Sequence, residues 1–139
     1  MFYGGGNGDN QLVTLAFRVE GKPIQQGSMR AFNNRVVHNK TKELMAWRAE
    51  VAKAAHRAGC TPIQGPIAIA MRFTYDKPKS VKRQFPTVPP DLDKQIRSIL
   101  DALTGVAYED DSQVTHITAS KEYGVAGVEI EITGGFETL

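Results

Sequence analysis

PPDLDKQIRSILDALTG, residues 89–105, is the stretch on which the fold turns. At about 100° per residue, Leu92, Ile96, Ile99, Leu100 and Leu103 fall in one apolar arc, which predicts a helix lying on a core. Asp93, Arg97 and Asp101, each four apart, form a polar ridge beside that arc and are spaced for intrahelical ion pairs. Pro89-Pro90 imposes an extended approach, because a residue before proline avoids the helical region. Asp91 is then the N-cap, Asp93 sits in the first turn, and Gly105 is the expected C-cap.

Working outward, the apolar period switches between two and the helical repeat. Leu12 to Glu20 alternates, with Val13, Leu15, Phe17 and Val19 on one face, as a half-buried strand requires. Residues 22–40 are polar and read as a loop or ribbon. Leu44, Trp47, Val51 and Ala54 or Ala55 predict a helix over about 41–58, capped by Thr41 or Asn39 and ended by Gly59. Trp47 is expected to anchor the core rather than to stack on a base. Ile67 to Tyr75 alternates again. Residues 76–90 are a proline-bearing loop. Val114 to Glu122 and the run around Val128, Ile130 and Ile132 are expected to pair as a hairpin, with Glu129 and Glu131 facing outward. The order β-α-β-α-β-β predicts a mixed α/β, or α+β, fold. It is a single-layer sheet of about four strands with two helices packed on it. Residues 1–10, rich in glycine and asparagine, are expected to be a flexible leader, and 11–139 a single domain.

The totals exclude several classes. No apolar run approaches the ~18 residues that cross a bilayer. MFYGGGNGDNQ has neither the basic patch nor the apolar core of a signal peptide. GGGNG lacks the preceding strand and the following Lys-Ser/Thr of a phosphate-binding loop. Cys60 is the only cysteine, so no internal disulfide forms and a reducing cytoplasm is the expected location. The three histidines have no metal-ligand spacing. Net charge is +2, but from Arg18 to Arg97 sixteen bases face six acids, and beyond Arg97 one base, Lys121, faces eight acids. A basic two-thirds attracts phosphate backbones. Lys22, Arg30, Arg35 and Lys40 in the first polar segment and Lys77, Lys79, Lys82 and Arg83 in the second are the candidate DNA contacts.

Two readings of the acids stand. As cap and first-turn residues, Asp91 and Asp93 are each favourable by up to about 1 kcal/mol without any metal. Alternatively, the extended-to-helical junction turns both carboxylates toward one cation. A return of about six or seven residues after Gly105 would then carry Asp110 and Asp111 back toward them. Three carboxylates about 4 Å apart repel by roughly 4 kcal/mol per pair at an effective dielectric near 20. Such a cluster persists only when neutralised. An all-oxygen ligand set points to Mg²⁺ or Mn²⁺ rather than zinc.

P-D-L-D before a helix, then L-D-A-L-T-G, a short aromatic-bearing loop and E-D-D-S-Q-V, resembles the RusA family of Holliday junction resolvases. The resemblance is densest over 89–114 and extends through G-K-P-x-x-x-G-x-x-R at 21–30. It implies a small homodimeric endodeoxyribonuclease that depends on Mg²⁺ or Mn²⁺, acts on four-way DNA junctions in recombination, repair or phage DNA processing, and needs no small-molecule cofactor. By position, Asp91, Asp93 and Asp111 match the metal ligands. Asp110 matches a neighbouring acid with a supporting or structural role, and Asp101 a structural one. Two positions depart: Lys94 stands where the family has asparagine, and Arg97 where it has lysine. Arg97 keeps a positive charge suited to phosphate oxygens but has no titratable proton. Lys94 is a second candidate for the same task. A non-catalytic, structure-selective DNA-binding protein on the same fold is the alternative.

Overall fold

The computed structural model describes residues 12–27 and 34–135, with side chains described in the first helix from residue 42 onward. The expected leader and Arg30 lie outside the described residues, as do the side chains of Arg35 and Lys40.

The elements run β1 (Val13–Glu20), α1 (Asn34–Arg57), β2 (Ile67–Tyr75), α2 (Leu92–Leu103), a short 3-10 turn (Asp111–Gln113), β3 (Val114–Tyr123) and β4 (Gly127–Gly134). The expected mixed fold, element order and strand count hold. Helix α1 starts seven residues earlier than expected. The polar composition of 34–40 suggested a loop, yet the register of Leu44 and Val51 extends back to Val37, so the helical period continues through it. Gly59, at φ +95°, ends the helix.

The sheet order is β1-β4-β2-β3. Strand β2 pairs with β3 in parallel, from Ile67↔Val114 to Tyr75↔Tyr123, and with β4 in antiparallel. The far side of β4 pairs antiparallel with β1. The expected hairpin is therefore absent: β3 and β4 are consecutive in sequence, yet β2 lies between them. Residues 124–126 cross the end of β2, where Gly124 N donates to the Tyr75 carbonyl and the Thr74 hydroxyl donates to the carbonyls of Val125 (2.5 Å) and Gly127 (3.2 Å). The inner face of β4, Val128, Ile130 and Ile132, is wholly buried and takes a central position. The polar strand VTHITASKEY takes the edge.

Both helices cover one face of the sheet, α1 on the β1 side and α2 on the β3 side. The core joins Trp47, Val51 and Ala55 of α1 to Ile67, Ile69, Met71 and Phe73 of β2. Ile99 and Leu103 of α2 and the β4 triplet complete it. Trp47 is thus a core anchor, as its spacing predicts. The other face carries an ion ladder across all four strands. Glu129 bonds Arg18 at 3.4 Å and Arg72 at 2.8 Å, and Arg72 reaches Glu122 at 3.0 Å. Arg72, the first cause, holds the Glu129 carboxyl below its ordinary pKa. This ladder occupies Arg18 and Arg72, so neither contributes free charge to a nucleic-acid surface.

Candidate active site

The cap of α2 is built by the segment after β1. Asp91 is extended, at φ −77° and ψ 137°, as a residue at the N-cap position is, and Leu92 begins the helix. The Asp91 backbone N–H donates to Gln25 Oε1 at 2.6 Å. Gln26 N donates to the Lys94 carbonyl at 3.1 Å, and the buried Gln95 amide donates to the Pro23 carbonyl at 3.2 Å. The G-K-P segment thus clamps the helix start from one side. Lys121 clamps it from the other, its ammonium accepted by the carbonyls of Val88 (2.8 Å) and Pro90 (2.7 Å). None of these contacts was legible in the sequence, although Lys121 stood out as the lone base of the acidic third.

Asp91 occupies the N-cap position but makes no side-chain cap bond. Its carboxylate is about half-exposed and pairs with Lys94 Nζ at 3.0 Å. Asp93 is exposed one turn-edge away and has no hydrogen-bonded or ionic partner among the described residues. Capping therefore does not account for either side chain. The expected ladder along α2 does not form either. Asp101 turns instead to Arg48 of α1 at 2.9 Å, tying the two helices together, and Arg97 points to solvent without an ion pair among the described residues. Asp101 is structural, as expected.

The second acidic pair lies elsewhere. Gly105, at φ +83°, is the residue after the helix cap Thr104, and Gly105 N donates to the Tyr108 carbonyl at 2.7 Å. Tyr108 is fully buried, its hydroxyl donating to the Leu100 carbonyl at 2.7 Å, and burial pushes its pKa well up. Asp110 caps the following turn: Ser112 N donates to Asp110 Oδ1 at 3.0 Å, while Gln113 Oε1 accepts from Asp110 N. The Ser112 N–H holds the Asp110 carboxyl below its ordinary pKa. That contribution to stability is present above the unfolded carboxylate value and is lost as pH falls through the depressed one. Asp110 is thus a capping residue. The Gln113 amide anchors the turn to the carbonyls of Ile63 (2.7 Å) and Gly65 (2.9 Å), ahead of β2.

Asp111 is exposed and sits at the opposite end of α2 from Asp91 and Asp93. The cause is topological. Parallel pairing starts β3 beside the start of β2, so Asp111, three residues before Val114, lies at that end. Asp91 follows the loop from the far end of β2, and α2 spans the gap of about 18 Å. Within one chain the return loop does not carry Asp111 back to the D-x-D pair. Among the described residues no group of three aspartate, glutamate, histidine or cysteine side chains gathers as a metal site.

Of the candidate DNA contacts, Lys22, Lys79, Lys82 and Arg83 are exposed, and Lys77 Nζ stands 5.6 Å over the Tyr123 ring. The loop 76–90 that carries four of them leads directly into Asp91.

A family profile described as Endodeoxyribonuclease RusA matches residues 20–133, from the last residue of β1 to the penultimate residue of β4. This chain belongs to the RusA endodeoxyribonuclease family. It is also similar to a protein of Bacillus subtilis (strain 168), "Uncharacterized protein YqaN", at 33% identity over 126 residues covering 78% of this chain and 87% of the relative. RusA proteins are Holliday junction endodeoxyribonucleases of DNA recombination. The matched span takes in the Gln25 and Gln26 clamp, the D-x-D pair, Arg97 and Lys121. No helix among the described residues is long and apolar enough to cross a membrane.

Lys121→Met is expected to lower the nicking rate by roughly tenfold to a hundredfold, the usual scale for losing a group that orients a ligand, while moving the thermal midpoint little. Single-turnover cleavage alongside a melting curve separates the two effects.

Proposed function

We propose that the chain is a divalent-metal-dependent endodeoxyribonuclease that resolves four-way DNA junctions by paired symmetric nicks, acting as a homodimer in the cytoplasm. The observation that carries this reading is the pair of carboxylates at the start of α2, neither engaged in capping, in a chain of the RusA family. The all-oxygen donors suit Mg²⁺ or Mn²⁺. Asp91 and Asp93 would hold the ion; Asp111, a helix length away within one chain, would join them as third ligand only from the second copy of the homodimer. Bound there, the ion would lower the pKa of a water and neutralise charge on the phosphate.

The remaining steps belong to this chain. Gln25 and Lys121 fix the backbone on either side of Asp91, so that its carboxylate is positioned before the substrate arrives. Lys94 Nζ pairs with Asp91 Oδ2 at 3.0 Å, and its ammonium would serve a phosphate oxygen were a cation to take its place on that carboxylate. Arg97, one turn beyond Asp93, stabilises negative charge that develops on the phosphate. As a guanidinium it does not deliver a proton. Lys22, Arg30, Arg35, Lys40, Lys77, Lys79, Lys82 and Arg83 would grip duplex arms through phosphates, fixing position rather than reading bases. A two-fold junction calls for two equivalent cuts, which a C2 dimer supplies. The setting would be recombination, repair or the processing of phage DNA.

A second reading, a structure-selective DNA binder without catalysis, is favoured by the Lys94–Asp91 ion pair, which satisfies the carboxylate without metal. The experiment is cleavage of a synthetic four-way junction. The expected result is symmetric nicks with Mg²⁺ or Mn²⁺ and none after chelation, with junction binding retained. Binding without cuts at any tested divalent ion would leave the second reading standing.

A further inference from the structure

Among the described residues Phe85 is the one exposed aromatic side chain, with 55% of its surface open to water. Trp47, Phe73 and Tyr108 are buried, and Phe17, Tyr75 and Tyr123 are partly buried. A lone exposed apolar side chain is ordinary on a protein surface. Three features of its surroundings set this one apart.

The first is that the backbone beside it is held. Thr87 N donates to the Phe85 carbonyl at 2.9 Å, and Pro86 between them is buried. Just beyond, Lys121 Nζ donates to the carbonyls of Val88 and Pro90. The loop is thus fastened to the body of the fold next to Phe85, while the ring itself stands outside the apolar core. The fold does not need it there.

The second is charge. Residues 76–90 carry Lys77, Lys79, Lys82 and Arg83 against a single acid, Asp76. Such a loop is drawn to phosphates. Cationic side chains that follow a backbone, with an aromatic ring among them, are the chemistry that holds unstacked nucleic-acid bases.

The third is position. Phe85 precedes Asp91 by six residues. Its backbone therefore lies within about 20 Å of that of Asp91 even at full extension. The turn from Phe85 to Thr87 shortens that reach. A ring so placed meets DNA close to a phosphate held at the D-x-D pair.

An uninterrupted duplex offers this ring no landing place, because each base pair is covered by the next. At the centre of a four-way junction the stack is broken, and the last pair of an arm presents an open face. We infer that Phe85 stacks on a base at the branch point and is the residue by which this chain distinguishes a junction from a duplex. The inference rests on the junction reading above and adds the side chain that recognises the branch. It involves neither the metal nor the acids. The bases of the loop grip phosphates on any duplex, and Phe85 supplies the difference between branched and unbranched DNA.

The test is binding with divalent ions chelated, so that nothing is cut. The probes are a synthetic four-way junction and a continuous duplex with the sequence of two of its arms. Phe85→Ala is expected to weaken junction binding by about tenfold, the scale of losing one base–aromatic stack, and duplex binding by less than about twofold. Circular dichroism should be unchanged, since the ring is exposed. Phe85→Trp is expected to keep the wild-type preference. Phe85→Leu is expected to lose it, because leucine keeps the bulk but has no π-face. The emission of the added tryptophan should be quenched by the junction and not by the duplex, over a constant background from buried Trp47. Arg83→Ala gives the contrast: it should lower affinity for both DNAs together and reduce the salt dependence of each.

An unchanged junction preference in Phe85→Ala, or a leucine variant that behaves as wild type, overturns the inference and leaves the proposed function standing. So does a Phe85→Ala chain whose sedimentation changes without DNA, which assigns the ring to a protein contact. If the wild type itself shows no preference for the junction, the junction reading fails and the inference with it.

Discussion

Asp91→Asn is expected to lose metal-dependent nicking of a four-way junction by more than about a hundredfold while still binding it. Displacing a group that merely orients a metal ligand costs roughly ten- to a hundredfold, so removing a ligand charge costs more. Asparagine preserves the shape and the extended backbone at this position. The structural cost is small for a further reason: the Asp91 carboxylate makes no cap bond, so the helix start does not depend on it. The clamp on the backbone N–H, from Gln25 Oε1 at 2.6 Å, is untouched by the substitution. Loss of the pairing with Lys94 is the one local change, and a half-exposed ion pair contributes little to stability. Single-turnover cleavage and an electrophoretic shift on the same junction make the comparison. A variant that cuts within tenfold of wild type would remove Asp91 from the metal site.

The largest effect on stability is expected from Phe73→Ala. Phe73 is fully buried on β2, the strand that touches both β3 and β4, and it packs in the same core as Ile99 and Val128. Truncating a buried phenylalanine leaves a cavity and costs about 3–5 kcal/mol. A domain of this size has a margin of about 5–15 kcal/mol, so a large share of it is removed. Urea denaturation should show a lower midpoint with an unchanged slope. A loss below about 1 kcal/mol would mean that the neighbouring strands close over the gap, against the packing described.

The two predictions separate chemistry from scaffold, and the sequence served them unequally. The scaffold was readable because its signals are local. Alternation in IAIAMRFTY and GVEIEITG placed buried residues on one face, and the 3- and 4-residue spacing over Leu44 to Ala55 and Ile96 to Leu103 did the same for the helices. The paired prolines and Asp91 located the start of α2 to the residue. Asp91 and Asp93 were recognisable as candidate ligands, since D-x-D at such a junction exposes both acids. The role of Asp110 as a cap also lay within reach, because Asp110 and Gln113 stand at capping-box spacing.

What the chain does not spell out is which strands become neighbours and where the ends of elements finally lie. VTHITASKEY and GVEIEITG are separated by three residues and look like a hairpin, yet the more apolar strand is drawn into the sheet between β1 and β2 and the polar one is left at the edge. Burial of Val128, Ile130 and Ile132 from both sides outweighs the convenience of a short turn, and that comparison exists only once the whole sheet is assembled. The same parallel β2–β3 pairing places Asp111 a helix length from Asp91. Spacing along a chain sets local conformation through backbone sterics and side-chain period. Distance between remote residues is set by the global minimum of buried area, to which every strand and helix contributes at once.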